Sequence, residues 1–168
     1  DETAHPAVAR GAVVDNCLAI GGIPVTRLAQ RVGRTPVFAY DRGRIIARIA
    51  ELRAALPPMV HLHYAIKANP MPAVVQCLTA LVDGFDVASA QEMSIALDTP
   101  MPADRISFAG PGKRTAELAQ ALAAGVVIHL ESAREMRDLA SLAQAEGAKP
   151  KVAIRVNPNF ELRGSGMR

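Results

Sequence analysis

From Thr35 onward the sequence switches repeatedly between two hydrophobic periods, and this alternation restricts the fold more than any other feature. Segments 35–41 (TPVFAYD), 60–69 (VHLHYAIKAN), 84–89 (GFDVAS), 105–110 (RISFAG), 126–132 (VVIHLES) and 151–158 (KVAIRVNP) read as strands. Between them, 42–56, 71–81, 90–99, 115–125 and 133–147 carry helical spacing, with Gly, Pro or Ser at the junctions. A strand–helix–strand order predicts parallel strands joined by crossover helices. The fold class is therefore α/β, as an open doubly wound sheet or a barrel.

Residue parity within the strands separates these two. Successive side chains of a strand point to opposite faces. In 60–69, Val60, Leu62, Tyr64 and Ile66 share one face, and His61, His63, Ala65 and Lys67 share the other. Phe85 and Val87 oppose Asp86 and Ala88, and Ile106 and Phe108 oppose Ser107 and Ala109. Val126, Ile128 and Leu130 oppose Val127, His129 and Glu131; Val152, Ile154 and Val156 oppose Ala153, Arg155 and Asn157. One face is always bulky and apolar, the other small or polar. An open sheet covered on both sides needs two apolar faces. A barrel sets an apolar outer face against its helices, and its inner face can carry chemistry near the C-terminal mouth. We therefore read a (β/α)8 TIM-like barrel. Lys67, Asp86, His129, Glu131, Arg155 and Asn157 lie at or near strand C-terminal ends. Each alone reads equally as an ordinary strand-end polar residue; the aligned set marks an active face.

Only five barrel strands follow from residue 60, whereas closure takes eight. Five would leave two long unpaired edges, so the expectation is a piece of a longer protein. Composition narrows the function classes further. Half of the 168 residues are hydrophobic, which suits a soluble domain with a real core. The formal charge of +3 comes from interspersed residues with no Lys/Arg-rich run, giving no basis for nucleic-acid binding. No apolar run approaches the roughly 18–20 residues of a membrane span, and the start, DETAHPAVARG, lacks signal-peptide features. Cys17 and Cys77 have no metal-type or CxxC partner. Free thiols in a reducing cytoplasm, and no metal site, are the expectation.

Lys67, in HYAIKANP, is the residue hardest to place as plain structure. A buried lysine serves an ion pair, or works covalently as an amine with a lowered pKa. Desolvation and a nearby cation both disfavour its ammonium form and promote attack on an aldehyde. Parity directs Arg155 into the same interior and sets Asp86 on the adjacent strand. This group reads equally as a structural ion-pair network and as catalytic machinery. The residues alone reach a candidate Schiff-base lysine in a barrel.

Four motifs, YAIKANP (64–70), GFDVASAQE (84–92), AGPGK (109–113) and RVNP (155–158), occur in order on the expected strands. Together they resemble the pyridoxal-phosphate-dependent decarboxylases of the alanine-racemase-like barrel fold, which act on diaminopimelate, ornithine, arginine and carboxynorspermidine. The similarity runs from about Gly21 to the end. Residues 20–41 resemble the family's opening segment, which starts in a second β-domain. The resemblance thus implies a 1–34 segment associated with that β-domain and a 35–168 N-terminal part of the cofactor-binding barrel. The remaining barrel and β-domain would lie outside this sequence. The ending NPNFELRGSGMR is similar to a subgroup associated with exosortase or carrier-protein systems, and departs from housekeeping diaminopimelate decarboxylases, which carry a longer loop there.

Position by position, the resemblance implies that Lys67 forms the internal aldimine with pyridoxal 5'-phosphate. Asp86 matches the acidic residue that organises this lysine, and Arg155 the arginine close to the cofactor. His129 is an inward cofactor contact or a satisfied interior histidine. Gly110 and Gly112 allow a tight loop at the barrel mouth, where Lys113 reads as a solvent-exposed loop lysine in preference to a substrate or anion contact. His61 and His63 read as core polar residues, and Glu92 as an acidic residue favourable at a helix start. The implied reaction is decarboxylation of an amino acid, free or carrier-protein-tethered, in a cytoplasmic homodimer with shared active sites. The phosphate loop, the ring-stacking imidazole, the partner of the pyridine nitrogen and a cysteine from the second subunit would all fall after Arg168, so Cys17 and Cys77 take no such role. The alternatives are an amino-acid racemase on the same barrel, although racemases carry ANAYGHG where this chain has ANPMPAV, or a non-catalytic cofactor-binding regulator.

Overall fold

Asp15–Asn16 and Gly21–Gly22 are the kinds of residue pair that tolerate positive φ, and each reverses the chain. In the computed structural model, which describes residues 12–156, these turns join β1 (Val13–Val14), β2 (Cys17–Ile20) and β3 (Ile23–Pro24) into an antiparallel ribbon. Helix α1 (Val25–Val32) follows directly and ends at Gly33, whose left-handed φ of 72° suits glycine at that position. Asp41 caps α2 (Arg42–Ala55): its Oδ1 accepts from Arg44 N at 3.2 Å, and its Oδ2 accepts from Gly21 N at 3.0 Å. One aspartate thus ties the second turn to the helix start. Segment 35–41, expected as a strand, joins no sheet among the described residues. Its β-favouring composition has no partner there, and a strand exists only through its ladder. These elements form one compact unit, which ends at Pro57.

The second unit starts at Pro58 and realises the βα alternation. Strands β4 (His63–Ala65), β5 (Gly84–Val87), β6 (Ile106–Phe108), β7 (Val127–Leu130) and β8 (Val152–Ile154) form one all-parallel sheet in sequence order. Helices α3 (Pro72–Thr79), α4 (Ala90–Leu97), α5 (Thr115–Ala124) and α6 (Ala133–Glu146) return the chain between them. Ser89 and Ser132 accept from the backbone N–H groups of Glu92 and Glu135, each three residues on. Gly125 and Gly147 close α5 and α6 in the left-handed region.

Register decides which face each residue occupies. Ala65 pairs with Asp86, Asp86 with Ser107, Ser107 with Val127, and His129 with Ala153. Paired positions share a face, so the polar members fall on one side, as parity predicts. The opposite face is the core. Phe85, Ile106, Phe108 and Ile128 are completely buried and Val87 nearly so, together with Val75, Leu118, Ala121 and Leu139 of the helices. Each large side chain contributes about 1.5–3 kcal/mol by leaving water. The apolar face, not the polar one, therefore holds the sheet to its helices. Asn157 lies outside the described residues. Among these, no helix is long and apolar enough to cross a membrane.

The 60–69 strand is shorter than its composition predicts. Its ladder stops at Ala65, and Ile66–Ala68 form a single 3-10 turn closed by Asn69 N donating to Ile66 O at 3.0 Å. Pro70 has no N–H to extend a ladder and restricts Asn69 before it. Asn69 Oδ1 instead accepts from Met71 N at 3.1 Å, setting up the start of α3.

Candidate active site

The turn that ends β4 reassigns Lys67. Ile66 takes the buried position, and Lys67 is exposed on the turn rather than inward on a strand. Strand alternation does not extend through a 3-10 turn, so the parity argument stops at Ala65. Lys67 makes no hydrogen bond or ion pair among the described residues. The Lys67–Asp86–Arg155 group expected from parity is not a directly bonded triad: Asp86 and Arg155 each bind other residues.

Asp86 is held from below and from the side. His63 Nδ1 donates to Asp86 Oδ1 at 3.2 Å, and Ser107 Oγ donates to the same oxygen at 2.5 Å. The imidazole can lie there because Gly84, its paired position on β5, has no side chain. A Cβ on Gly84 would stand 2.6 Å from His63 Cε1 and 2.8 Å from Nε2, and would press on the Arg105 carbonyl oxygen. His61, His63, Asp86, Ser107 and His129 line one cleft of about 370 Å³ on the polar face. His129 therefore points inward beside Asp86, whereas Lys67 and Arg155 do not line this cleft. His63 read as a core polar residue; it is a direct partner of Asp86. The signal was its shared parity with Lys67 next to a glycine on the neighbouring strand.

A second cluster forms where β6, β7 and β8 end. Arg155 continues the ladder by donating its N–H to Leu130 O at 3.0 Å, and its NH1 donates to Glu131 Oε2 at 3.0 Å. Glu131 Oε1 accepts from Gly110 N at 2.5 Å. Lys113, expected as a solvent-exposed loop lysine, is instead buried against Glu135, with 3.2 Å between Nζ and Oε2. Its ammonium also donates to Gly110 O at 2.6 Å and lies 5.6 Å from the Phe108 ring centroid. A loop rich in glycine reads as exposed, but here it folds back over α6. Glu135 lies in the first turn of α6, where its N–H donates to the Ser132 cap, and its carboxylate adds the buried ion pair. Glu92 behaves as expected: it begins α4, and its Oε2 accepts from Ala88 N at 2.8 Å.

Among the described residues, the donor set at this end of the sheet consists of one unpaired amine, one carboxylate with an oxygen left over, and one guanidinium anchored on a single edge. An unpaired, accessible amine is the group that can bind an aldehyde carbon, and a partly exposed guanidinium suits an anion. Among the described residues no group of three or more His, Cys, Asp or Glu is arranged to hold a metal ion.

Comparison with known proteins bears on the same residues. Residues 42–167 match a family model described as "Pyridoxal-dependent decarboxylase, pyridoxal binding domain". A diaminopimelate decarboxylase of Aquifex aeolicus is 36% identical over 148 residues, covering 88% of this chain and 35% of that protein. An L-glutamyl-[BtrI acyl-carrier protein] decarboxylase of Niallia circulans is 34% identical over 145 residues, covering 86% and 34%. Among solved structures, AQ1208 from Aquifex aeolicus superposes with a TM-score of 0.80 at 36% identity, covering 89% of this chain and 37% of that one. The diaminopimelate decarboxylase of Helicobacter pylori complexed with L-lysine gives 0.73 at 30% identity, covering 83% and 36%. The chain thus spans about a third of the length of these relatives. Its five parallel strands with their helices are a portion of an α/β barrel of this kind.

Proposed function

The chain belongs to the pyridoxal-dependent decarboxylases, and on that premise we propose that it is part of a pyridoxal-phosphate-dependent amino-acid decarboxylase in which Lys67 holds the cofactor covalently. One observation carries the choice of lysine. Of the cations where the strands end, Lys113 is committed to Glu135 and Arg155 to Glu131, whereas Lys67 has no partner among the described residues. Only an uncommitted amine is free to bind an aldehyde carbon without first breaking an ion pair.

Bound pyridoxal phosphate supplies an electron sink for the pair left on a substrate carbon when carbon dioxide departs. The residues of this chain would do the rest. Lys67 binds the cofactor, and its amine, when released by an incoming substrate amine, holds a proton at Nζ. Asp86, with Oδ1 fixed by His63 and Ser107, would hold its carboxylate in one orientation. Arg155, gripped on one edge by Glu131, offers its remaining N–H groups to an anion. His129 closes the inner wall beside Asp86.

The substrate class we infer is an amino acid with a second polar end, either free, as for the diaminopimelate and ornithine decarboxylases among the relatives, or tethered to a carrier protein, as named for the Niallia circulans enzyme. That the named relatives are decarboxylases favours this reaction over racemisation on the same barrel. We also infer a homodimer and, from the free thiols of Cys17 and Cys77, a reducing cytoplasmic setting.

Borohydride reduction of the full-length protein reconstituted with pyridoxal phosphate tests the assignment. The expected result is one stable pyridoxyl label on the peptide that contains Lys67, and none after Lys67→Ala. A label on any other lysine of the wild-type protein refutes it. Carbon dioxide release from free and carrier-tethered amino acids then identifies the substrate.

A further inference from the structure

The polar group behind Arg155 is almost completely withdrawn from water. The side chains of Lys113 and Glu135 are 1% and 5% exposed, and that of Glu131 is 7% exposed. A buried ion pair is a poor stabiliser: exchanging it for apolar residues of similar volume is often neutral or better. Its presence is better explained by what it connects.

Lys113 Nζ donates to the Gly110 carbonyl at 2.6 Å. Gly110 has a φ of 140°, a left-handed backbone in which a side chain is strained, and its N–H donates to Glu131 Oε1. The N–H of Glu131 donates to Glu135 Oε2 at 2.9 Å, and Glu135 returns to Lys113. The bonds close a ring through Lys113, Gly110, Glu131 and Glu135. Arg155 hangs from it by the 3.0 Å bond to Glu131 Oε2. The ring joins the loop after β6 to the corner after β7, and through Arg155 to the residue after β8. Counting Arg155, two cations balance two carboxylates.

We propose that Glu131, held by the Gly110 peptide and the Lys113–Glu135 pair, is a positioning residue for Arg155, fixing the direction in which its guanidinium meets the anionic groups of the cofactor. The inference rests on the reading of Arg155 as a cofactor contact given above. The Arg155 side chain is 31% exposed, so it retains rotamer freedom that a single charge-assisted bond to an immobile carboxylate removes. Glu131 can be that immobile partner because its Oε1 and its own N–H are already bonded, to the Gly110 N–H and to Glu135. Lys113 neutralises Glu135 in the same enclosure, leaving the charge of Glu131 for Arg155.

The test is a mutant cycle on the full-length protein, reading the dissociation constant of pyridoxal phosphate by absorbance titration alongside the melting temperature of the apo form. Arg155→Ala and Glu131→Ala are each expected to weaken cofactor binding by about tenfold, the scale of substitutions just behind a binding group. Combined, they should be no weaker than Arg155→Ala alone, because both remove the same contact. A purely structural Glu131 would lower the melting temperature, and its effect on affinity would persist without Arg155. If Arg155→Ala weakens binding while Glu131→Ala does not, or if the two effects multiply, the positioning role is wrong and the reading of Arg155 stands. If Arg155→Ala leaves affinity unchanged, that reading falls and this inference with it. Should Glu131→Ala fail to fold, Lys113→Met/Glu135→Leu removes the anchor and keeps the core filled. Its expected loss is about threefold, smaller because Glu131 itself remains; a loss that persists in the Arg155→Ala background overturns the proposal.

Discussion

Gly84→Ala would insert one methyl group between β4 and β6, where three distances set its cost. The new Cβ would lie 2.6 Å from His63 Cε1 and 2.8 Å from Nε2, and too close to the Arg105 carbonyl oxygen for any real contact. The imidazole can swing aside, but it then gives up its bond to Asp86. Both side chains are partly exposed, so that loss is discounted to about 1 kcal/mol. The carbonyl cannot swing. It belongs to the backbone that enters β6, and moving it pulls Ile106 from its register with Phe85, an overpacking cost of about 1–3 kcal/mol. Against these stands roughly 0.4–1 kcal/mol from the stiffer unfolded chain. The net expectation is a destabilisation of about 2–3 kcal/mol, which is these contributions summed. Urea unfolding of the apo protein, compared at equal slope, measures it. In a His63→Ala background, Gly84→Ala should still cost about 1–2 kcal/mol, because the backbone clash remains. If the cost disappears there, the imidazole was the whole obstacle. If Gly84→Ala alone costs less than about 0.5 kcal/mol, the size of an ordinary surface change, the close approach does not constrain the sheet.

Other residues give further tests. Lys113→Met leaves Glu135 buried without its counter-charge and should destabilise by about 3–5 kcal/mol, whereas Lys113→Met/Glu135→Leu should recover most of the loss in the same urea assay. Glu117 Oε2 accepts from Arg114 N at 3.1 Å and Glu117 Oε1 from Ala90 N at 3.2 Å, and these bonds, the Arg114 N–H first, hold its carboxyl below the ordinary glutamate range. A lowered folded pKa contributes stability above the unfolded value and loses it as pH falls through the folded one. Glu117→Gln should therefore flatten the acid limb of the stability curve from about pH 4.5 downward, relative to wild type. Asp41→Ala removes a helix cap and the acceptor for Gly21 N, at an expected cost of about 1 kcal/mol in thermal or urea unfolding. The backbone N–H of Thr26, and then its hydroxyl, hold the Cys17 thiol below its ordinary pKa. In a Cys77→Ser background, Thr26→Val should move the pH midpoint of Cys17 alkylation upward.

Much of this architecture was legible from local pattern, because an alternation of periods is a property of neighbours along the chain. Strand order, parallel pairing and the division into apolar and polar faces follow from Phe85, Ile106, Phe108 and Ile128 opposing Asp86, Ser107 and His129. Those residues repeat at intervals that only one sheet satisfies. Segment 35–41 shows the limit of such reading: its composition favours a strand, yet strand formation depends on a partner that composition does not name.

The surroundings of the proposed site residues were not legible in the same way. Lys67 stood out in its motif, while its exposure was decided by a turn that buries Ile66 and ends the alternation at Ala65, two residues before it. Lys113 is the clearest case. Polar and preceded by two glycines, it carries the local marks of a surface residue, and no carboxylate nearby in sequence pairs with it. Its carboxylate, Glu135, lies 22 residues away on another helix, and only the folding of the β6 loop over α6 brings the two together. By itself the sequence determined which strand residues share a face, for as long as each ladder runs, because alternation along a strand is enforced by the backbone. The tertiary structure alone decided which of them are partnered, because ion pairs and hydrogen bonds depend on distances between segments that no periodicity encodes.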